Sequence, residues 1–172
     1  MPEPSSAGAA MFLQPAQMWV ADRPTRIKTV LGSCVAITML APRLGVGAMG
    51  HCLLPNAGAA TKNLSRNDAL KYVDSTVDLM LQAFARRGVV SDELEIKLFG
   101  GADNLGAGMG SYGVGNRNIE AAIEVLEARG IVPACSVVGG RRGRVIEFDT
   151  ATGQVWVKRL SGVAANRDGE EP

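Results

Sequence analysis

Cys34 and His51 are the pair of side chains in this sequence whose types and spacing best suit nucleophilic chemistry. His51 is the only histidine of the chain, and Cys34 is one of three cysteines. A nearby imidazole takes the proton of a thiol and holds the thiolate as an ion pair, which makes the sulfur reactive at neutral pH. The same imidazole protonates a leaving amine and then activates water. If the two side chains meet, the sequence predicts a hydrolytic site.

Whether they meet depends on a predicted β-hairpin. The turn residues of "APRLG" separate two apolar runs, residues 33–40 and 46–54, which we expect to pair as antiparallel strands. A turn of two or four residues centred on 42–43 makes Cys34 and His51 direct cross-strand partners, with Cβ atoms about 4.5–5.5 Å apart. A slip of one residue would place them on opposite faces.

Structural roles for these residues stay open at this point. A cysteine in an apolar strand is often a small buried hydrophobe, and a lone histidine is often structural. In the same register Cys52 faces away from Cys34, so we interpret it as a core residue, and we interpret Cys135 in "VPACSVVG" in the same way. This scattered set lacks the paired spacing of metal ligands, so no metal site is expected. The tight segment 31–34 suits backbone N–H groups that face a developing oxyanion.

Two segments with helical periodicity are expected to cover a sheet. Residues 65–88 begin with Ser65 and Asp68 in capping-box-like spacing and end at a glycine. Their apolar stripe consists of Leu70, Val73, Val77, Met80, Leu81 and Phe84. Residues 115–130 follow with Asn116 as the expected N-cap. Their stripe consists of Ile119, Ile123 and Leu126.

The remaining segments predict strands. They lie at residues 18–21, 25–29, 33–40, 46–54, 94–99, 132–138, 144–148 and 154–160, with "DTATG" as a hairpin turn between the last two. Because hairpins outnumber strand–helix–strand units, the pattern predicts an α/β sandwich with mixed, mainly antiparallel sheets and two amphipathic helices. We expect a single domain over residues 11–161, with residues 1–10 and 162–172 as flexible tails.

The composition narrows the classes of partner and compartment. The chain has 172 residues, a formal net charge of +1 and 47% hydrophobic residues, which argues for a folded domain and against nucleic acid or an anionic membrane as the main partner. The N-terminus does not read as a signal peptide, and no apolar run is long enough to span a bilayer. Three cysteines without regular spacing fit a reducing cytoplasm. Nothing in the sequence demands more than a monomer.

Two glycine-rich segments are expected to form shaped loops. "GGADNLGAGMGSYGVG", residues 100–115, lacks the lysine–serine/threonine pair of a P-loop and the strand–GxGxxG–helix fingerprint, so nucleotide binding is not expected. We interpret it as a surface loop that borders the active site or contacts a partner. "GGRRGR", residues 139–144, is a basic turn that either contacts an acidic partner surface or is a solvated hairpin end.

Six blocks occur in order along most of the chain, namely "LGSCVAI", "GHCLLP", "KYVDSTVDLML", "KLFGGA", "GNRNIEAAIEVLEARGI" and "VVGGRRGRVIEFDTATGQVWVK". In this order they resemble the CheD family, which deamidates glutamines on bacterial chemoreceptors. The resemblance places the family's catalytic cysteine on Cys34 and its histidine on His51, in agreement with the hairpin. The family's third residue is a threonine upstream of the cysteine. Thr29 is the candidate, and Lys28 occupies one of the usual threonine positions.

The resemblance implies a three-layer α/β sandwich and a protein-glutamine glutaminase. Its substrate would be a glutamine side chain on the helical cytoplasmic part of a methyl-accepting chemoreceptor. Cys34 would attack the amide carbon, His51 would protonate the departing ammonia, and water activated by His51 would hydrolyse the thioester to glutamate. No metal or organic cofactor is implied. A receptor methyltransferase would esterify the glutamate formed.

Two other functions stay open from the sequence. CheD-like proteins are similar to partners of CheC-type phosphatases in some bacteria, so one alternative is a non-catalytic regulatory protein that binds such a phosphatase and receptors. That role would not require Cys34 or His51. The other alternative is a cysteine hydrolase that cleaves esters or peptides. The small site expected at the strand ends favours a side-chain substrate over an extended peptide.

Overall fold

The computed structural model describes residues 9–103 and 113–161, which form two β-sheets and a layer of helices. The strands are β1 (Ala9–Phe12), β2 (Gln17–Ala21), β3 (Thr25–Leu31), β4 (Val35–Ala41), β5 (Val46–Cys52), β6 (Glu95–Gly100), β7 (Cys135–Val138), β8 (Arg144–Asp149) and β9 (Val155–Arg159). The helices are α1 (Arg66–Ala69), α2 (Val73–Ala85) and α3 (Val114–Glu127), with short 3-10 segments at Gly58–Asn63 and Ser91–Glu93.

The two sheets and the helices stack as three layers. Within the described ranges, one sheet has the order β1–β3–β8–β9 and the other has the order β2–β5–β4–β6–β7. The pairs β1–β3 and β6–β7 are parallel, and the other neighbours are antiparallel. Helices α2 and α3 pack on the second sheet and on each other. The expected three-layer α/β sandwich with mixed, mainly antiparallel sheets is therefore confirmed.

Each interface between layers has its own apolar cluster. The cluster between the two sheets includes Ile27, Leu31, Met49, Phe99, Ile146 and Phe148. The cluster between the second sheet and the helices includes Ile37, Met39, Val77, Met80, Phe84 and Leu98. Strand β4 is buried along its whole length because it lies at the centre of its sheet and contacts a cluster on both faces. Its sequence accordingly shows no alternation and is apolar except for the buried Thr38.

The expected continuous helix over residues 65–88 is wrong. Ser65 caps α1 as predicted, but the backbone is extended at Tyr72 before α2 begins. The cause is a long-range pairing, because Tyr72 bridges Leu54 in parallel and the Lys71 carbonyl accepts two N–H bonds from the same segment. The break in the helix thus anchors the chain that leaves β5.

Two predictions about the following helix are also wrong. The N-cap is Gly113 rather than Asn116, because the Asp103 carboxylate accepts N–H bonds from Gly115 at 2.9 Å and from Asn116 at 3.1 Å. A carboxylate from outside the helix therefore satisfies its first turn. Ile123 is 38% exposed, and the buried face instead carries Gly115, Asn118, Ala121, Ala122 and Leu126.

The expected domain over residues 11–161 stays a prediction. Strand β1 begins at Ala9 and pairs with β3, so the expected domain start at residue 11 falls inside a strand. Residues 1–8, 104–112 and 162–172 lie outside the described part, and with them most of the expected tails and of the 100–115 loop. None of the described helices is long and apolar enough to cross a membrane.

Candidate active site

Strands β4 and β5 form the predicted hairpin, but in a different register. The turn occupies residues 42–45 and ends at Gly45, whose φ of +63° is a conformation that glycine adopts readily. His51 consequently pairs with Ala36, and the expected direct pairing with Cys34 is wrong. Because the shift is an even number of residues, Cys34 and His51 remain on the same side of the sheet. Diagonal neighbours of this kind are about 7–8 Å apart.

The two faces of the hairpin separate the cysteines of this segment. Cys34 packs against the cluster between the sheets, whereas Cys52 belongs to the cluster under the helices. Cys52 is a buried core residue as expected, and burial raises the pKa of its thiol to about 12. Cys135 is exposed at the start of the edge strand β7, so its expected place in the core is wrong. Among the described residues, no group of three His, Cys, Asp or Glu side chains is arranged to hold a metal ion.

A hydrogen bond between the sheets sets the tautomer of His51. Its Nδ1 lies 2.8 Å from Oγ1 of Thr29, which belongs to β3 of the other sheet. The same hydroxyl lies 2.8 Å from the carbonyl oxygen of Leu13, which can only accept, so the hydroxyl donates its single proton there. The hydroxyl then accepts from His51, which places the imidazole proton on Nδ1. The lone pair of Nε2 is left available as a base.

The alternation of β3 distinguishes Thr29 from its neighbour Lys28. Thr29 is 1% exposed and faces the space between the sheets, whereas Lys28 is exposed on the opposite face. Of the two candidates for the third position, Thr29 is therefore the residue that contacts His51.

Burial disfavours the charged forms of both side chains. Nε2 of His51 is buried and has no hydrogen-bond partner within the described part of the chain. Burial lowers the pKa of His51 to about 4. Burial also raises the pKa of the Cys34 thiol, and the backbone N–H of the same residue opposes this shift. At neutral pH these directions favour a thiol and a neutral imidazole rather than the ion pair expected from the sequence.

Three consecutive carbonyl groups fix the backbone that carries the thiol. The carbonyl oxygens of Gly32 and Cys34 accept N–H bonds of 2.9 and 2.8 Å from Ala102 and Gly101, respectively. The carbonyl oxygen of Ser33, between them, accepts a side-chain bond of 2.9 Å from helix α3. The segment after β6 and the helical layer thus determine where Cys34 stands.

Asn118 provides the bond from α3 and was missed by the sequence analysis. Its Nδ2 donates to the carbonyl oxygens of Ser33 and Leu53, each at 2.9 Å, and the residue is fully buried. It thereby joins the segment before β4, which carries Cys34, to the residue that follows β5, the strand that carries His51. The available signal was a polar residue on the buried face of an amphipathic helix, since a buried amide needs partners.

Position 100 must be a glycine because its backbone packs directly against that of Cys34. Its φ is +106°, and a Cβ atom at this position would lie 2.3 Å from the carbonyl oxygen of Cys34 and 3.1 Å from Leu31 Cδ1. Any side chain here would push against the backbone of Cys34. The glycines of "KLFGGA" therefore allow the end of β6 to pack closely against the backbone of Cys34.

Comparison with known proteins shows the family to which the chain belongs. A family model described as "CheD chemotactic sensory transduction" matches residues 53–159. The chain is also 42% identical over 156 residues to a probable chemoreceptor glutamine deamidase CheD 2 of Geobacter sulfurreducens, with 91% of this chain and 93% of that protein covered. This chain belongs to the CheD family. A second CheD relative, a probable chemoreceptor glutamine deamidase of Maridesulfovibrio salexigens, is 42% identical over 165 residues, with 93% and 97% covered.

The site in this CheD-family chain assembles residues from every layer. Cys34 directly precedes β4 and His51 lies in β5 of the central hairpin of one sheet. Thr29 comes from the other sheet, and Asn118 comes from the helices. The arrangement places a thiol, an oriented imidazole and a fixed backbone on one side of the hairpin. These are the parts that acyl transfer from an amide requires.

Proposed function

We propose that this chain hydrolyses side-chain amides of specific glutamines on chemoreceptors to glutamate. Cys34 is the nucleophile, His51 is the general base and acid, and Thr29 orients His51. The observation that carries the proposal is the Thr29–His51 hydrogen bond, which leaves an unprotonated Nε2 on the same side of the hairpin as Cys34. The substrate class is supported by the relatives, which are named chemoreceptor glutamine deamidases.

In the first half of the reaction, Nε2 of His51 takes the thiol proton as the sulfur attacks the amide carbon. The Ser33 carbonyl is bonded to Asn118, so the planar trans peptide turns the N–H of Cys34 in the opposite direction. This N–H is our candidate donor to the oxyanion. Collapse of the tetrahedral intermediate transfers the proton from Nε2 to the leaving nitrogen. Ammonia departs and a thioester remains on Cys34.

In the second half, Nε2 takes a proton from water, and the hydroxyl oxygen attacks the thioester carbon. The sulfur leaves as the proton returns to it, which regenerates the Cys34 thiol and releases the glutamate side chain. Oγ1 of Thr29 accepts the hydrogen bond from Nδ1–H throughout, so the imidazolium formed in each half keeps its orientation. Every proton in the cycle moves between substrate, water, Cys34 and His51.

The proposal also covers the compartment, the oligomeric state and the partners of the chain. We place the reaction in the cytoplasm, on the helical region of the receptor, and we assign it to a monomer because one chain supplies the whole proposed site. The family resemblance supports a CheC-type phosphatase as a second partner. A purely regulatory role in binding that phosphatase and receptors is the alternative to catalysis.

The test is mass spectrometry of purified receptor cytoplasmic fragments incubated with the native chain, Cys34→Ala, His51→Ala and Cys135→Ala. Cys135→Ala is the matched control because that cysteine is exposed on an edge strand. Glutamine-to-glutamate conversion by the native chain and the control, but by neither of the other variants, would support the proposal. No conversion of any cognate receptor, with receptor or phosphatase binding intact in all four proteins, would favour the regulatory role.

A further inference from the structure

Four arginines surround a small cavity where the chain passes from β7 to β8. Arg141 and Arg142 lie on the turn, Arg144 is the first residue of β8, and Arg159 is the last residue of β9 and pairs directly with Arg144. With two glycines of the turn they line a space of about 180 Å³, which we call the arginine cavity. It has room for a carboxylate- or phosphate-sized group.

The positive charge of the arginine cavity has no carboxylate partner within the described residues. None of the four arginines forms an ion pair there. Arg144 is 3% exposed, its guanidinium donates to the carbonyls of Val137 and Gly139, and its Nε is buried without a described partner. Like charges directly opposite in a sheet repel, and burial together with Arg159 lowers the pKa of Arg144. A bound anion would relieve the repulsion between the guanidinium groups.

The arginine cavity lies at the same end of the sandwich as the nucleophile. Arg144 pairs with Leu31, which stands three residues before Cys34 in the chain. Gly139 donates its N–H to the carbonyl of Gly100 at 2.8 Å, and Gly100 packs against the carbonyl of Cys34. A group bound in the cavity would therefore stand beside a substrate whose glutamine reaches Cys34.

We propose that the arginine cavity binds the carboxylate of an acidic side chain on the protein substrate, near the glutamine that is deamidated. This inference rests on the proposed function. Planar guanidinium groups match the two oxygens of a carboxylate, and the bonds are strengthened by charge. The net charge of the chain is only +1, so the cluster is a local feature rather than part of a generally basic surface. Inorganic phosphate presents similar oxygens and is the other source that the test must separate.

The experiment measures binding of a receptor cytoplasmic fragment to the full chain carrying Cys34→Ala, so that no turnover occurs. The cavity variant adds Arg142→Gln and Arg159→Gln, both exposed, which leaves buried Arg144 and the fold in place. The control variant adds Arg66→Gln and Arg86→Gln, exposed residues of the helical layer with the same change in charge. We expect the Kd to rise on the order of tenfold in the cavity variant and to stay unchanged in the control.

A second arm identifies the source of the anion. Replacing acidic residues next to the target glutamine of the fragment by alanine should weaken binding to the native cavity by the same factor and should not weaken binding to the cavity variant further. Equal Kd values for the cavity and control variants would overturn the proposal. Calorimetric binding of inorganic phosphate that requires these arginines, with an unchanged fragment Kd, would also overturn it. Absence of deamidation by the native chain would refute the proposed function alone, because the Kd comparison needs no turnover.

Discussion

Thr29 and His51 are hydrogen-bonded across the gap between the two sheets, with 2.8 Å between Oγ1 and Nδ1. The bond makes the orientation of the proposed base depend on how the sheets pack against each other. The hydroxyl also donates to Leu13, on the segment between β1 and β2, so three parts of the chain meet at this oxygen. The consequences of this geometry can be tested residue by residue.

Removing the hydroxyl of Thr29 should show how far the orientation of His51 depends on this hydrogen bond, as distinct from the packing of the side chain. Thr29→Val keeps the shape but leaves Nδ1–H and the Leu13 carbonyl without a partner, which costs about 1–3 kcal/mol of unfolding free energy. With the imidazole no longer oriented, we expect kcat to fall on the order of a hundredfold. Thr29→Ser keeps the hydroxyl and should retain most of the activity. Receptor-fragment kinetics and chemical denaturation measure both effects, and a wild-type kcat in Thr29→Val would contradict the assigned role.

The ionisation of His51 can be read directly because it is the only histidine of the chain. Burial lowers its pKa from 6.5 to about 4, so the nitrogen NMR signals should show a neutral Nδ1–H tautomer at neutral pH and a titration near pH 4. A midpoint near the ordinary histidine value, or an Nε2–H tautomer, would contradict the described hydrogen bonds.

The same shift predicts how stability depends on pH. Between pH 6.5 and about 4 the unfolded chain binds a proton that the folded chain excludes. The free energy of unfolding therefore falls as the pH drops through this window, by about 3 kcal/mol in total, and is unaffected by this group above it. Urea unfolding of the native chain and of His51→Gln across the window gives the difference in slope. Parallel curves for the two proteins would rule out this linkage.

Asn118 should matter far more than the asparagine two residues before it. Asn118→Leu removes both side-chain donors and leaves the carbonyls of Ser33 and Leu53, which are in part-buried positions, without these bonds, at about 1–3 kcal/mol each. Asn116→Leu, on the exposed side of the same helix, is the matched control. Denaturation and receptor-fragment kinetics should show losses of stability and of kcat in the first variant only. Equal stability and activity of the two variants would show that the Asn118 bonds do not position Cys34.

Gly100→Ala should lower kcat by more than the strain of its positive φ alone would explain. The new Cβ would lie 2.3 Å from the Cys34 carbonyl oxygen, so the nucleophile must move. A displacement of about 1 Å can cost on the order of a hundredfold in rate. Gly88→Ala is the control, since its φ is +73° and its Cβ would meet nothing within 4 Å. Receptor-fragment kinetics of the two variants should differ in kcat, and similar kcat values would show that close packing at Gly100 is not what positions Cys34.

Local sequence patterns predicted much of this fold, and the features that they did not predict depend on pairings between distant segments. The apolar runs of the hairpin and the side shared by Cys34 and His51 follow from period-two alternation and an even-numbered turn. The register itself depends on the length of the turn, which ends at Gly45 in a left-handed backbone conformation. The turn residues of this segment are compatible with more than one turn length. The break at Tyr72 depends on pairing with Leu54.

The site shows the same division between local and distant information. The family resemblance identified Thr29 as a candidate, but its bond to His51 exists only because two sheets stack. The role of Asn118 is set by a partner 85 residues away, which no local periodicity reveals. The external cap of α3 by Asp103 is likewise 12 residues distant from its partner Gly115.

The most direct test of the account is to find the covalent intermediate on Cys34. Native chain and receptor fragment are mixed, quenched with acid during turnover, and analysed by intact mass spectrometry followed by digestion. We expect an adduct equal to enzyme plus fragment minus ammonia, which maps to the Cys34 peptide, is released by hydroxylamine and is absent from Cys34→Ala. Glutamine conversion by Cys34→Ala at the native rate, or an adduct confined to Cys52 or Cys135, would contradict it.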